Sequence, residues 1–146
     1  MESVRVGREF FVKERRAYTN WKRGVVRELW QNSVDAGSTE IKIEVRPISE
    51  TNPLEGCTML FSDNGCGMDE GILRDVYFCL GKSGKNSPGA IGGFGRARLL
   101  TCFSMDSYTI KTQDVIVKGE GGSFTIEKSE SFFKGCQLEI HCSDTT

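Results

Sequence analysis

The chain has 146 residues, 38% of them hydrophobic and 27% charged, which is typical of a single soluble globular domain with its own core. Its formal net charge of -1 excludes a global basic field for nucleic acid, and no apolar run approaches the roughly 20 residues of a transmembrane helix, so no membrane partner is expected. The six cysteines contain no C-x-x-C pair, and without the apolar start of a signal peptide we expect reduced thiols in a cytoplasmic, intracellular protein.

The first clear element is a helix from about Asn20 to Ala36, where apolar residues recur at helical spacing. Asn20 is suited to cap its start, and Gly37 is a stop signal after its end. A weaker helical pattern precedes it over residues 8–20, in which the basic run at 13–16 is interpreted as a solvated face. The apolar residues of the main helix predict one broad buried stripe: Val25, Val26, Leu29, Trp30 and Val34.

Strand signals alternate with two further helices along the rest of the chain. Strands are predicted over residues 40–45 and 57–62, and Asp69 is suited to cap a helix that runs to about residue 80. The remaining elements are a helix over 96–103 and strands over 107–112, 115–118, 123–127 and 136–142, with turns at 113–114, 119–122 and 134–135. Early helices followed by antiparallel strands predict an α/β (α+β) fold, a two-layer sandwich with helices on one face of a mixed, largely antiparallel sheet.

The first motif that points to chemistry lies on the main helix. Asn32 and Asp35 follow Glu28 by four and seven residues, so the three side chains share one helix face. Glu28 is suited to act as a general base toward water, and the side-chain carbonyl oxygen of Asn32 is a ligand type that Mg²⁺ accepts. Taken alone, the same stripe is also typical of an ordinary solvated helix face.

The second motif is Asp63-Asn64-Gly65-Cys66-Gly67-Met68, which follows a predicted strand. A carboxylate at its first position can accept a hydrogen bond from an exocyclic amino group, such as that of adenine. Gly65 and Gly67 permit positive φ and close approach of a base, and Met68 offers an apolar contact. A plain glycine turn stays open as an alternative, whereas a calcium loop is disfavoured because positions 65 and 67 carry no acid.

The third motif is a glycine-rich segment over residues 81–95, with six glycines, one proline and two lysines. Gly92, Gly93 and Gly95 precede a predicted helix, whose first N–H groups are suited to bind phosphate. A flexible glycine linker is the alternative. Two other phosphate motifs are excluded, because a Walker A loop would need glycine in place of Val76 and no complete G-x-G-x-x-G occurs.

In this order the three motifs resemble the GHKL superfamily, the Bergerat-fold ATPases, over roughly residues 27–140. That superfamily includes the DNA gyrase ATPase subunit, the ninety-kilodalton heat-shock chaperones, MutL-type mismatch-repair proteins and sensor histidine kinases. Its hallmark is E-x-x-x-N-x-x-D-A, then D-x-G-x-G, then G-x-x-G-x-G, then a late G-T on a strand. The resemblance implies the Bergerat fold, with ATP and Mg²⁺ as cofactors.

The resemblance also implies a role for each matching position. Glu28 resembles the water-activating base, Asn32 the Mg²⁺ ligand, and Asp63 the residue that pairs with the adenine amino group. The other implied nucleotide-binding residues are Asp35 and Ala36 on the helix, Gly65, Gly67 and Met68 in the base-binding turn, and Cys136 late in the chain. Residues 81–95 resemble the ATP lid, and the implied contacts of this region are Ser83, Lys85, Gly92, Gly93, Phe94, Gly95 and Arg96.

Three departures from the family pattern are visible. Ala97 replaces the last lid glycine, and the late G-T is Gly135-Cys136, whose thiol is a weaker hydrogen-bonding group than threonine. In gyrase and MutL relatives a lysine from the following domain reaches the γ-phosphate, and this chain ends at Thr146. We therefore expect residues 1–146 to be a single ATP-binding domain, the N-terminal part of a longer protein. The expected partner is an unidentified protein or a C-terminal domain, while a nucleotide-dependent homodimer and nucleic acid stay open.

The function that this resemblance implies is ATP binding and slow ATP hydrolysis, with a nucleotide-responsive lid coupled to the partner. A protein kinase of the same superfamily is one alternative. Glu28 disfavours the sensor-kinase version, which usually has asparagine there, and the only histidine, His141, lies on a predicted strand. A regulatory protein that binds the nucleotide without hydrolysing it is the other alternative.

Overall fold

The computed structural model describes residues 2, 4, 6–49, 51, 56–79 and 98–143. Its elements are helix α1 (Arg8–Arg16), helix α2 (Trp21–Asp35), strand β1 (Ile41–Pro47), strand β2 (Cys57–Asp63), helix α3 (Glu70–Ile72) with a π-helical continuation (Leu73–Tyr77), π-helix α4 (Leu99–Phe103), strand β3 (Ser107–Glu120) and strand β4 (Ser123–Cys142). None of the described helices is long and apolar enough to cross a membrane.

The four strands form one antiparallel sheet in the order β1-β2-β4-β3, which places β2 and β4 at its centre. Phe61 lies opposite Ile43 on one side and Leu138 on the other, and Leu138 lies opposite Ile110. Side chains that lie opposite each other share a face of the sheet, and this face carries the buried core together with α1, α2 and α4. The predicted fold class, with helices on one face of a largely antiparallel sheet, is confirmed.

Helix α2 begins and ends where the sequence predicts. The side chain of Asn20 accepts a hydrogen bond from the backbone N–H of Arg23 at 3.2 Å, which satisfies one of the free donors at the helix start. Gly37 follows the end of the helix with φ of +75°, a conformation in which a residue with Cβ would be strained.

The predicted apolar stripe of α2 is broader than the face of the helix that is buried. Its fully buried positions are Val25, Leu29 and Ser33. The other three predicted members are largely exposed: Val26 at 39%, Trp30 at 51% and Val34 at 47%. A broad stripe was predicted because apolar residues occupy both halves of the arc, but only one half faces the sheet.

Helix α1 is held by a buried cation, which corrects the prediction of a solvated basic face over residues 13–16. Arg15 has no exposed surface. Its Nη1 donates to the carbonyl oxygen of Ser104 at 2.9 Å and to Sγ of Cys142 at 3.7 Å. Its guanidinium carbon also lies 4.2 Å from the ring centroid of Trp21, within the range of a cation–π interaction.

Two of the predicted turns in the second half are wrong, because β3 and β4 run through residues 113–114 and 134–135 as continuous strands. At these positions the hydrophobic alternation of the sequence is broken because the pairing of β3 with β4 is irregular. The backbone has φ of +47° at Gln113 and +102° at Gly135. The predicted turn at 119–122 is confirmed at Gly121 and Gly122, which join the two strands.

We predict that Arg15→Leu lowers the free energy of unfolding by about 2–3 kcal/mol. The substitution keeps most of the aliphatic volume but leaves the buried Ser104 carbonyl without its charged donor. Urea denaturation followed by circular dichroism measures the change. Arg16→Leu, one residue along and exposed, is the matched control and should change stability by less than about 0.5 kcal/mol. Equal losses in the two variants would contradict a specific structural role for Arg15.

Candidate functional site

Helix α2 presents the first predicted motif on the flank next to its buried stripe. Glu28 and Asn32 are half-buried on this flank, and Asp35 is exposed at the end of the helix. The Oε2 atom of Glu28 is buried and has no hydrogen-bond partner among the described residues. An unpartnered carboxylate oxygen is costly to bury, and it is able to accept a proton from a water held against it.

Asp63, the last residue of β2, is held by three hydrogen bonds from three parts of the chain. Its Oδ2 accepts from the hydroxyl of Ser33 at 2.7 Å. Its Oδ1 accepts from the backbone N–H of Gly65 at 2.9 Å and from that of Cys136 at 3.2 Å. An ionised carboxylate has about four acceptor positions, so about one remains for a ligand donor such as an amino group. The orientation of the carboxylate is thus fixed before any ligand binds.

The turn after Asp63 packs against the end of α2 because it lacks side chains there. A Cβ on Gly65 would lie 2.7 Å from Cβ of Ala36, closer than real Cβ atoms approach one another. The backbone N–H of Cys66 donates to the carbonyl oxygen of Ala36 at 3.0 Å. The structure therefore brings the second motif directly against the Asp35-Ala36 end of the first. Ser38 Oγ lies beside Gly65 and is buried without a hydrogen-bond partner among the described residues.

The second half of the same turn packs against the irregular part of the β3–β4 ladder. Gly67 has φ of +71°, and a Cβ there would lie 2.7 Å from the carbonyl oxygen of Gly135. The backbone N–H of Met68 donates to Oγ1 of Thr112 at 2.9 Å. The same hydroxyl donates to the Gly135 carbonyl at 2.7 Å, so one threonine joins the turn to β4.

Two residues of this arrangement were missed by sequence reasoning. Ser33 and Thr112 are both fully buried and bond to the predicted motif. For Ser33 a signal exists, since it is the one small polar residue on the buried arc of α2. Thr112 lies opposite Cys136 across the ladder, so a hydroxyl is present beside the late motif although the motif itself lacks threonine. That pairing depends on the register of β3 against β4, and the sequence around Thr112 does not indicate it.

The late motif, Gly135-Cys136, lies directly against Asp63. A Cβ on Gly135 would lie 2.0 Å from the carbonyl oxygen of Asp63, so only glycine fits there. The next residue, Cys136, donates its backbone N–H to the Asp63 carboxylate. Burial, followed by the negative charge of Asp63, raises the pKa of the Cys136 thiol to about 12, while the nearby Arg98 guanidinium acts in the opposite direction. The thiol therefore stays neutral at physiological pH.

Arg98 lies in the wall of this region, packed against aromatic and thiol groups. Its guanidinium carbon lies 3.8 Å from the ring centroid of Tyr77, and its Nη1 donates to Oγ1 of Thr101 at 3.2 Å. Burial raises the pKa of the Tyr77 hydroxyl well above its usual value, so that group also stays neutral. This wall therefore combines the guanidinium of Arg98 with the neutral hydroxyl groups of Tyr77 and Thr101.

The predicted lid contacts lie outside the described residues. They are Ser83, Lys85, Gly92, Gly93, Phe94, Gly95 and Arg96. Of the predicted set, the structure brings together Ala36, Asp63, Gly65, Gly67, Met68 and Cys136 around one carboxylate, with Glu28 and Asn32 on the flank of the helix that supplies Ser33. The roles of these residues toward a nucleotide stay predictions. Among the described residues, no group of three or more His, Cys, Asp or Glu side chains is arranged to hold a metal.

The chain is similar to known proteins in both sequence and structure. The pattern of the family described as "Histidine kinase-, DNA gyrase B-, and HSP90-like ATPase" matches residues 18–130. The DNA mismatch repair proteins MutL of Thermoanaerobacter sp. (strain X514) and of Thermoanaerobacter pseudethanolicus (strain ATCC 33223 / 39E) are each 31% identical to the chain over 131 residues, 80% of this chain. The chain spans 20% of the length of these relatives.

A solved structure shows the same fold. The ATPase region of Saccharomyces cerevisiae topoisomerase II, bound to ICRF-187 (dexrazoxane), superimposes with a TM-score of 0.55 at 16% sequence identity. The match covers 83% of this chain and 37% of that one.

We predict that Cys136 resists alkylation by iodoacetamide at about pH 8. With a pKa of about 12, only about one thiol in 10⁴ is ionised at that pH, and the thiolate is the reactive form. Mass spectrometry of peptides from the folded protein measures the modified fraction. The exposed Cys66 is the internal control and should be modified in the same sample. Modification of Cys136 as rapidly as Cys66 would contradict a neutral, partly buried thiol.

Proposed function

This chain belongs to the family of histidine kinase-, DNA gyrase B- and HSP90-like ATPases, and we propose that it binds Mg²⁺-ATP and hydrolyses it slowly. The observation that carries the proposal is the Asp63 carboxylate, fixed by three hydrogen bonds with an acceptor position to spare. The Oε2 atom of Glu28 on the adjacent helix, which has no hydrogen-bond partner among the described residues, supports the proposal that ATP is hydrolysed.

In this proposal Asp63 recognises adenine through its exocyclic amino group. The carboxylate presents only acceptors, whereas guanine carries a carbonyl oxygen in place of that amino group. Two acceptors facing each other repel, so the site discriminates by the penalty for the wrong base as well as by the bond to the right one. The glycines let the turn pack against α2 and β4, which holds it beside Asp63, and Met68 would supply an apolar contact to the base.

Glu28 is the proposed general base toward the attacking water, since its Oε2 is buried and accepts no hydrogen bond from the described residues. Asn32, one helical turn further along the same flank, would hold Mg²⁺ through its side-chain oxygen. One protein ligand is adequate because this ion usually keeps several waters and binds phosphate oxygens. When bound, the ion neutralises phosphate charge.

We further propose that turnover is slow without another domain or partner. Phosphoryl transfer needs cations fixed beside the developing charge. Arg98 is committed to the ring of Tyr77 and to Thr101. The chain also spans only a fifth of its MutL relatives, so a further domain or a partner protein that responds to a nucleotide-dependent lid is part of the proposal. A cytoplasmic location, where ATP is available and thiols stay reduced, fits the same view.

The two alternatives differ in where the phosphate goes. A kinase would transfer it to a protein side chain, and a non-hydrolysing regulator would keep the nucleotide intact. The Glu28 Oε2 atom, which has no hydrogen-bond partner among the described residues, favours transfer to water over both, because neither a kinase of the histidine type nor a passive binder needs a base there.

We predict that Asp63→Asn narrows the preference for ATP over GTP. The parent should bind ATP more tightly by roughly ten- to a hundredfold, the value of one charge-assisted hydrogen bond, and the variant should lose most of that ratio because an amide also donates. Isothermal titration with each nucleotide gives the two affinities. Because Asp63 also supports the fold, the ratio is the readout: a reduced folded fraction lowers both affinities alike. An unchanged ratio would contradict adenine recognition by Asp63.

We predict that Glu28→Ala retains ATP binding and loses turnover by about 10²–10⁴-fold, since the base acts on water in the transition state. The parent chain itself should turn over below about one ATP per second, under the common enzyme range. Steady-state phosphate release measures both. Glu9→Ala, an exposed glutamate of α1, is the matched control and should hydrolyse ATP like the parent. Parental turnover by Glu28→Ala would show that Glu28 is not the base.

A further inference from the structure

Strand β1 has a free edge. It pairs with β2 on one side, and no described strand pairs with its other side. The carbonyl of Glu40 accepts from Asn64 N–H at 3.3 Å, and the N–H of Ile48 donates to Gly56 at 3.0 Å, so both residues point toward β2. Backbone direction alternates along a strand. The odd-numbered residues between them, Ile41, Ile43 and Val45, therefore direct their N–H and C=O groups outward.

The inner face of this edge strand is partly exposed. Ile43 lies opposite Phe61 and Val45 opposite Met59, so both share the face that carries the core. They are nevertheless 42% and 58% exposed. Apolar residues on the helix-covered face of a sheet are normally buried, so this part of the layer lacks a covering element among the described residues.

Helix α2 presents a second uncovered apolar surface toward the same edge. Val26, Trp30 and Val34 lie four residues apart on one flank, away from the Glu28 flank. On the opposite side of the helix, Gly24 packs against Leu100 of α4, which lies over β3 and β4. The exposed flank therefore faces the β1 end of the sheet.

The polar face of β1 has charges that complement a second copy. Glu40, just before the strand, and Lys42, Glu44 and Arg46 within it alternate in sign. If two copies of β1 pair antiparallel about Ile43, Lys42 lies opposite Glu44 and Glu40 opposite Arg46. A shift by two residues in either direction places like charges opposite one another, which is unfavourable.

The same register also uses the free backbone groups. About Ile43, each outward-facing residue lies opposite an outward-facing residue of the second copy: Ile43 opposite Ile43, and Ile41 opposite Val45. Such pairs exchange both of their hydrogen bonds in an antiparallel ladder. Pro47, which has no N–H to donate, stands just beyond the paired stretch, a position that an edge strand tolerates.

We propose that the chain forms a two-fold symmetric dimer through β1, with one continuous eight-stranded antiparallel sheet. The two copies of β2 would be three strand spacings apart, about 14 Å, and packed helices lie about 8–10 Å apart. The α2 helix is bonded to β2 through Ser33 and Asp63, so the two α2 helices would approach across the axis. Their Val26, Trp30 and Val34 flanks would then cover Ile43 and Val45 of both copies. This surface is separate from the nucleotide flank, so the dimer needs no nucleotide.

The charge register gives a direct test. Sedimentation velocity of the whole chain without nucleotide, from about 1 to about 200 µM, should show a concentration-dependent dimer of the 16.2 kDa chain. Lys42→Glu replaces two attractive cross-strand pairs by two repulsive ones and should weaken the dimer by about tenfold or more. The swap Lys42→Glu with Glu44→Lys restores opposite charges in the same register and should restore association. Lys118→Glu, on the far edge strand β3, is the matched control and should dimerise like the parent.

Hydrogen exchange of the parent chain, which needs no substitution, tests the same register. Amides of Lys42, Glu44 and Arg46 bond to β2 in monomer and dimer alike and should be protected at every concentration. Amides of residues 41, 43 and 45 should become protected only as the dimer forms. The proposal is overturned if the chain stays monomeric throughout, if association requires ATP and tolerates Lys42→Glu, or if Lys118→Glu abolishes it. It is also overturned if the charge swap fails to restore the dimer, or if the odd-numbered amides exchange equally fast at high and low concentration.

Discussion

The carboxylate of Asp63 accepts hydrogen bonds from α2, from its own turn and from β4, and so joins three parts of the chain. A charged acceptor within a half-buried site requires donors, since an unpaired charge there would cost several kcal/mol. Ser33, Gly65 and Cys136 provide them. The same three bonds position helix and strand relative to each other and aim the carboxylate, so this part of the fold and the candidate site have one physical basis.

Close backbone approach is what makes that arrangement possible. Gly65 allows the turn to reach the end of α2, and Gly135 allows β4 to reach the carbonyl of Asp63. Thr112 then bonds both to the turn and to Gly135, in a place where the backbone departs from regular pairing. The irregular ladder at this point is therefore part of the site.

The sequence was most informative where the determinants are local. The cap at Asn20, the stop at Gly37 and the helical spacing between them predicted α2 correctly. The late strands were found, but the breaks at residues 113 and 135 were interpreted as turns because a bulge and a turn use the same residue types. The glycine motifs are recognisable by their composition, and the family resemblance assigns them to one site with the helix motif.

What the sequence could not give depends on contacts between distant residues. Arg15 belongs to a basic run whose other members are exposed or intermediate, and only the positions of Ser104 and Cys142 explain its burial. Thr112 matters because of its strand register with Cys136. Which half of the α2 stripe faces the sheet also depends on tertiary packing, because both halves have the same hydrophobic spacing.

The bond from Arg15 to Cys142 has a consequence for how the chain folds. It joins residues 127 positions apart, and the bond to Ser104 spans 89. Loop closure over such distances is entropically slow, and contacts of this range form late in folding. During synthesis, α1 leaves the ribosome before β4, so Arg15 reaches Cys142 only after the end of β4 has emerged. The contacts of α1 are therefore complete only once β4 is in place, although the helix itself is made long before that strand.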